Sequence, residues 1–444
     1  MRRIAVFTAL LASTPLAAQA AMPALRVQFI HAGALLAEPG EAPRGASTII
    51  VRDGKVAEVR EGHLAPEAGA ELIDLRDRFV MPGLVDMHVH LWGVGGDPLR
   101  AQLNWLTSDD EDNLLQAVSN ARVTLEAGFT TVRDVGGNAR GMRALREGVE
   151  RGAVAGPTIV NAGAPISVSG GHGDATAGVS EVFADATHQH QVNTCDSPDD
   201  CRRAVRKQVA LGAQVIKFMS TGGVLSNVSG GLGRAMTDEE MKSIVDTAHG
   251  LGRMVATHSH GVAGTKAAVA AGVDTIDHGS FLDDEAIRLM KASGTWLVPT
   301  MLASPTLVEQ AKSGALPPAV VPKAQESSAA AFASHSKAFA AGVKVAFGTD
   351  AGVSKHGENA QEFALMVKAG MTPAQALKSA TANAAEALGR SASIGSIEPG
   401  KDADIIAVAG SPIEDVTRME RVDFVMRRGV VHKLAGKRQV FPVE

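Results

Sequence analysis

Leu84-Val85-Asp86-Met87-His88-Val89-His90 is a run of strand length that is mostly apolar and ends on two histidines two residues apart. Side chains alternate along a strand, so His88 and His90 leave on the same face. An apolar strand that ends on polar, metal-loving groups suits a parallel α/β barrel, whose active site is assembled at the C-terminal ends of its strands.

Comparable runs recur on the C-terminal side: Phe129 to Val135, Thr158 to Ala162, Val215 to Ser220, Met254 to His260, Thr275 to Gly279, Trp296 to Met301 and Val343 to Asp350. Amphipathic helical stretches separate them, among them Asp110 to Ala127, Asp199 to Leu211, Thr237 to Leu251, Asp283 to Ser293 and Pro322 to Ala341. Asn359 to Ala369 and Thr372 to Leu388 follow the last run. With the first run the strands number eight, and the alternation predicts a (β/α)8 TIM barrel of the α/β class over 81–391.

The two ends read differently. Thr48 to Val59 alternates around Asp53-Gly54, which predicts a hairpin, and Asp404 to Val408 and Val422 to Val431 are strand-like in the same way. Neither end has enough strands to bury a face by itself. The expectation is one small β-sandwich domain built from both termini, 21–80 plus 392–444.

Met1-Arg2-Arg3, an apolar run and Ala18-Gln19-Ala20 form the pattern of a signal peptide over 1–20, cleaved near Ala20. A secreted or periplasmic protein is therefore expected, with no membrane-spanning segment. The roughly 420 residues that remain suit a barrel with a smaller companion domain. A net charge of −5 without clustered Lys and Arg argues against a nucleic-acid partner. Cys195 and Cys201 are the two cysteines; an oxidising compartment favours a local disulfide, with free thiols as the alternative.

Six residues at strand ends carry the chemistry: His88, His90, Lys217, His258, His278 and Asp350. A single buried histidine is ordinarily a hydrogen-bonded core residue. Four of them converging with an aspartate on one barrel mouth point to metal, because each uncompensated buried polar group costs on the order of a few kcal/mol.

These residues resemble the metal-dependent amidohydrolase superfamily, whose pattern is His-x-His on strand one, Lys on strand four, His on strands five and six, and Asp on strand eight. Val80 to His90, Ile216 to Val224, Thr257-His258-Ser259-His260-Gly261 and Ile276-Asp277-His278-Gly279 are similar to its Xaa-Pro dipeptidase and carboxypeptidase branch, which includes ochratoxin-hydrolysing amidases. The resemblance implies two divalent metal ions, zinc first, with manganese or cobalt as other occupants. His88, His90 and Asp350 would hold the buried ion and His258 and His278 the exposed one. Lys217, carbamylated by CO2 to N6-carboxylysine, would bridge them with a hydroxide, and Asp350 would act as base and then acid. A homo-oligomer, an octamer among the options, is also implied.

The substrate expected is a small molecule with a carboxylate, a dipeptide or N-acyl amino acid. Lactam or lactone opening on the same metals is one alternative, and a non-catalytic metal-binding protein another. His260 lies two residues beyond His258 and is expected at the same mouth, donating to the substrate. His172, in the glycine-rich Ser167 to Asp174, and Val224, in the small apolar Gly223 to Gly231, are further substrate candidates. Arg133 either neutralises the carboxylate or pairs with Asp134. Some dipeptidases of the branch hold that carboxylate with a tyrosine, and this chain has none. His188 and His190 read as surface residues.

Overall fold

The computed structural model describes residues 27–177, 180–182, 193–226 and 230–441. The expected signal peptide, His188, His190 and part of the segment after Val224 lie outside the described residues.

The N-terminal part is four strands: β1 Gln28–Leu35, β2 Ser47–Arg52, β3 Lys55–Glu61 and β4 Glu71–Pro82. Asp53 and Gly54 join β2 to β3 with φ of +50° and +73°, the pair of left-handed residues that a two-residue hairpin turn demands. Parallel strands follow: β5 Leu84–Val89, β6 Phe129–Asp134, β7 Thr158–Asn161, β8 Val215–Met219, β9 Met254–Ser259, β10 Thr275–His278 and β11 Trp296–Val298. The C-terminal part adds β12 Ile405–Val408, β13 Val422–Arg427, β14 Val430–Leu434 and β15 Lys437–Arg438.

The ends do pair. They form one eight-stranded sheet in the order β15-β14-β13-β12-β4-β1-β2-β3, and the strand pairing does not divide it into the two layers expected of a sandwich. The reason is β4, whose twelve residues are long enough to pair with β1 along most of its length and with β12 over Phe79 to Pro82. Ile30, Ile49, Leu75, Ile405 and Phe424 are part of that sheet's own apolar core.

The parallel strands are arranged as β5-β6-β7 and β11-β10-β9-β8. Residues 343–350, expected as the eighth strand, form a single isolated bridge, Leu297 with Val345, but hydrogen-bond to both neighbours. Phe347 and His88 carbonyls accept from Met87 and Asp350 on the β5 side, while Ala346 donates to Leu297 and Thr300 to Gly348 on the β11 side. Across the other gap, Ile166 donates to the Lys217 carbonyl and accepts from Met219. Helices lie where expected to within a residue or two, except that Thr372 to Leu388 divides into Pro373–Ser379 and Ala382–Ala387. Cys195 and Cys201 are disulfide-bonded, tying the chain after β7 to the helix Pro198–Ala210. Among the described residues no helix is long and apolar enough to cross a membrane.

Candidate active site

The C-terminal ends of the parallel strands bring the six expected residues to one cavity of about 390 Å³. Two donor groups face it, each with ligand atoms within 4.8 Å of one another: His88, His90 and Asp350, and His258, His260 and His278. Asp350 Oδ1 stands 3.4 Å from Nε2 of both His88 and His90. His260, expected to meet substrate, thus also falls inside the second donor group.

Four of the five donor imidazoles are aimed by a second partner. His88 Nδ1 donates to Asp277 Oδ2 at 2.9 Å and His90 Nδ1 to the Gly136 carbonyl at 3.2 Å. His260 Nδ1 meets the Ser280 hydroxyl and His278 Nδ1 the Thr300 hydroxyl, both at 2.8 Å. Such partners fix the ring and leave the other nitrogen free for an ion.

Asp277, which the sequence reading left without a role, is the electrostatic centre beneath the site. Its carboxylate accepts from Lys217 Nζ at 2.6 Å, from His88 and from Arg133 at 2.8 Å. Arg133 is fully buried and also donates to the Met87 carbonyl and to Thr275. This corrects both expectations for Arg133: its guanidinium is spent on Asp277, out of a substrate's reach, and Asp134 instead accepts from the Leu91 amide.

Three non-glycine residues at this end have left-handed backbones: His278 (φ +74°), Thr300 (φ +50°) and Asp350 (φ +59°). Strain of this kind persists where surroundings over-determine the conformation. His335 Nε2 donates to the His278 carbonyl at 2.6 Å. Buried Glu362 accepts from the amides of Met301 and Leu302, clamping the turn after Thr300; burial pushes its carboxyl up to about 8. The turn at His278 also explains why Asp277 escaped notice. Strict alternation would send neighbours to opposite faces, yet the left-handed residue lets both reach the interior.

Burial, reinforced by neighbouring histidines, holds His258 well below the ordinary histidine value, and burial brings His172 down to about 4. Burial also lowers Lys217, against the pull of Asp277. Asp350 is held well below the usual carboxylate range: burial opposes this, but the imidazoles of His88 and His90 prevail. The outcome is neutral rings at His258 and His172, an ionised Asp350 and a Lys217 amine biased toward its uncharged form, while the Asp350 carboxylate raises His90 against the effect of burial. His258 Nε2 is buried without a hydrogen-bond partner, and an unpaired lone pair there is costly unless an ion takes it. The donor set therefore fits divalent metal.

His172 lines the cavity with its ring 4.4 Å from that of His258, and Val224 forms part of the apolar wall.

Residues 79–432 match the amidohydrolase family. The chain belongs to that family. It is 31% identical over 412 residues to ochratoxinase of Aspergillus niger, covering 88% of this chain and 83% of the relative. Among solved structures, a Xaa-Pro dipeptidase with methionine bound in its active site is 38% identical, with a TM-score of 0.87 over 92% of this chain and all of the other. A prolidase complexed with N-methylphosphonate-L-proline is 28% identical, with a TM-score of 0.83 over 93% and 100% of the two chains. This amidohydrolase is accordingly a hydrolytic enzyme of amide bonds, and its fold is that of these α/β neighbours.

Proposed function

We propose that this amidohydrolase cleaves the amide bond of a dipeptide or N-acyl amino acid that carries an apolar group and a carboxylate, using two divalent ions. The observation that carries the reading is the pair of donor groups at the floor of one cavity with a buried lysine, Lys217, on strand β8 beside them. His88, His90 and Asp350 would hold one ion, and His258 and His278, with His260 in reach, the other. Divalent metal there, zinc being suited to mixed nitrogen and oxygen donors, supplies an acidified water and a Lewis acid for the scissile carbonyl.

The protein's own groups do the rest. Uncharged Lys217 Nζ attacks CO2, forms a nitrogen–carbon bond and sheds one proton to solvent, which leaves an anionic carbamate where a neutral amine stood. That nitrogen retains one N–H, so the bond to Asp277 survives the change. Asp350, ionised and flanked by imidazoles, takes a proton from the attacking water and returns it to the leaving nitrogen. Trp92, Met219, Leu225 and Leu307 give the cavity apolar walls. With Arg133 removed from contention, His172 and His260 are the groups left to meet the substrate carboxylate. The methionine held by the related dipeptidase and the proline phosphonate held by the related prolidase favour an apolar amino acid at this site.

The same reading carries a closed (β/α)8 barrel over 81–391, with the terminal sheet of 21–80 and 392–444 coiled over itself as a sandwich, and an exported, signal-peptide-bearing chain that assembles as a homo-oligomer. A panel of N-acyl amino acids and dipeptides, assayed with the metal-loaded protein for release of free amine, tests the activity. Cleavage of apolar members is expected, and cleavage of none contradicts it. Asp350→Asn should lower kcat by about 10²–10⁴-fold, the usual share of a proton-transfer group. Undiminished turnover would remove Asp350 from proton transfer.

A further inference from the structure

The helix Ala139–Glu150 has a glycine, Gly141, in its first turn, although glycine is among the poorest helix formers. Asn138 caps the helix and accepts from the Gly141 amide at 2.9 Å, so capping accounts for Asn138 but not for the glycine. Its neighbour does. A Cβ on Gly141 would stand 2.2 Å from Cζ3 and 2.5 Å from Cη2 of Trp92, and one on Gly137 would stand 2.8 Å from Trp92 Cβ. No side chain fits at either position unless the indole moves.

Trp92 itself follows His90 by two residues, in the segment after β5, and lines the cavity beside His90, Gly136 and Pro165. One part of the indole is therefore pressed against a helix start made bare to receive it, and another is presented to the substrate space.

We propose that Trp92 is the specificity-determining wall of this cavity, a flat aromatic surface seated on Gly137 and Gly141 that selects substrates carrying an aromatic ring. The proposal rests on the amide-hydrolase reading. A fixed indole offers a ring stacking or edge contact that an aliphatic wall does not, and a seat without side chains sets where that surface stands.

The test compares N-benzoyl-phenylalanine, aromatic on both sides of the amide, with N-acetyl-alanine. In Trp92→Ala, kcat/KM should fall about 30-fold on the aromatic substrate and about threefold or less on the small one, a difference within reach of lost apolar contact. Gly141→Ala, which alters no cavity residue, should displace the indole and reproduce a selective loss of about tenfold, while Trp92→Phe should recover most of the preference. Equal losses on both substrates, or an unchanged ratio in Trp92→Ala and Gly141→Ala, would overturn the role of Trp92. A wild-type enzyme that hydrolyses neither substrate would instead overturn the amide-hydrolase reading itself.

Discussion

Lys217→Ala should lose bound metal and at least about 10³-fold of turnover together, since the loss exceeds that of a single electrostatic donor to the transition state. The lysine is buried to 2% exposure on β8, lines the same cavity as both donor groups, and has Asp277 as its hydrogen-bond partner. As a cation it would repel two divalent ions. As a carbamate it neutralises part of their charge and ties them to one strand. Alanine leaves neither the bridge nor the compensating negative charge, and Asp277 loses one of its four side-chain partners. Metal analysis of the purified variant beside its kcat on the best wild-type substrate checks this. A variant that keeps two ions and wild-type turnover would eliminate the bridging role.

Arg133→Ala should cost about 3–5 kcal/mol of folding stability, the usual penalty for removing one partner of a buried ion pair. Arg133 and Asp277 are both fully buried and 2.8 Å apart. Once Lys217 is carbamylated its nitrogen is uncharged, so Arg133 becomes the cation on which Asp277 depends. Losing it leaves a buried carboxylate that either stays charged without compensation or takes a proton and releases its hold on His88. Denaturant unfolding of the variant should show the lower midpoint, and its metal content should fall as His88 loosens. An Arg133 that met substrate would behave otherwise, raising KM in a protein of unchanged stability, and that result would restore the expectation the structure sets aside.

How much of this was legible in the sequence depended on where backbone geometry is regular. His88 and His90 reach one mouth as alternation predicts, even though the register of β5 with β6 shifts between Asp86 and Val89, and His258 and Lys217 follow from strand alternation too. Each expected strand from β5 to β11 begins where its apolar run does, since burial on both sides writes a continuous signal. The signal fails where the chain leaves regular φ and ψ. Asp277 was hidden by the left-handed turn at His278. Glu362 was hidden because it is a helical residue that acts on amides sixty residues earlier, and nothing local marks it. Arg133 was misread because strand position alone put it near the mouth, whereas its length lets it turn beneath the site to Asp277. Residues 343–350 have the composition of a strand, yet only Val345 forms a bridge and the left-handed Asp350 ends the run. The termini were expected to pair into one small domain and do pair, with the unusual length of β4 joining them in one sheet. The seat of Trp92 was invisible for a simpler reason: a glycine in a helix start says only that room is needed, not for what.

The most direct measurement is anomalous diffraction from crystals of the metal-loaded protein, with metal content determined on the same sample. Two ions per chain are predicted, one among His88, His90 and Asp350 and one beside His258 and His278, with a carbamate on Lys217 between them. A single ion, or none at these donors in a protein that still hydrolyses its amide substrate, would contradict the account.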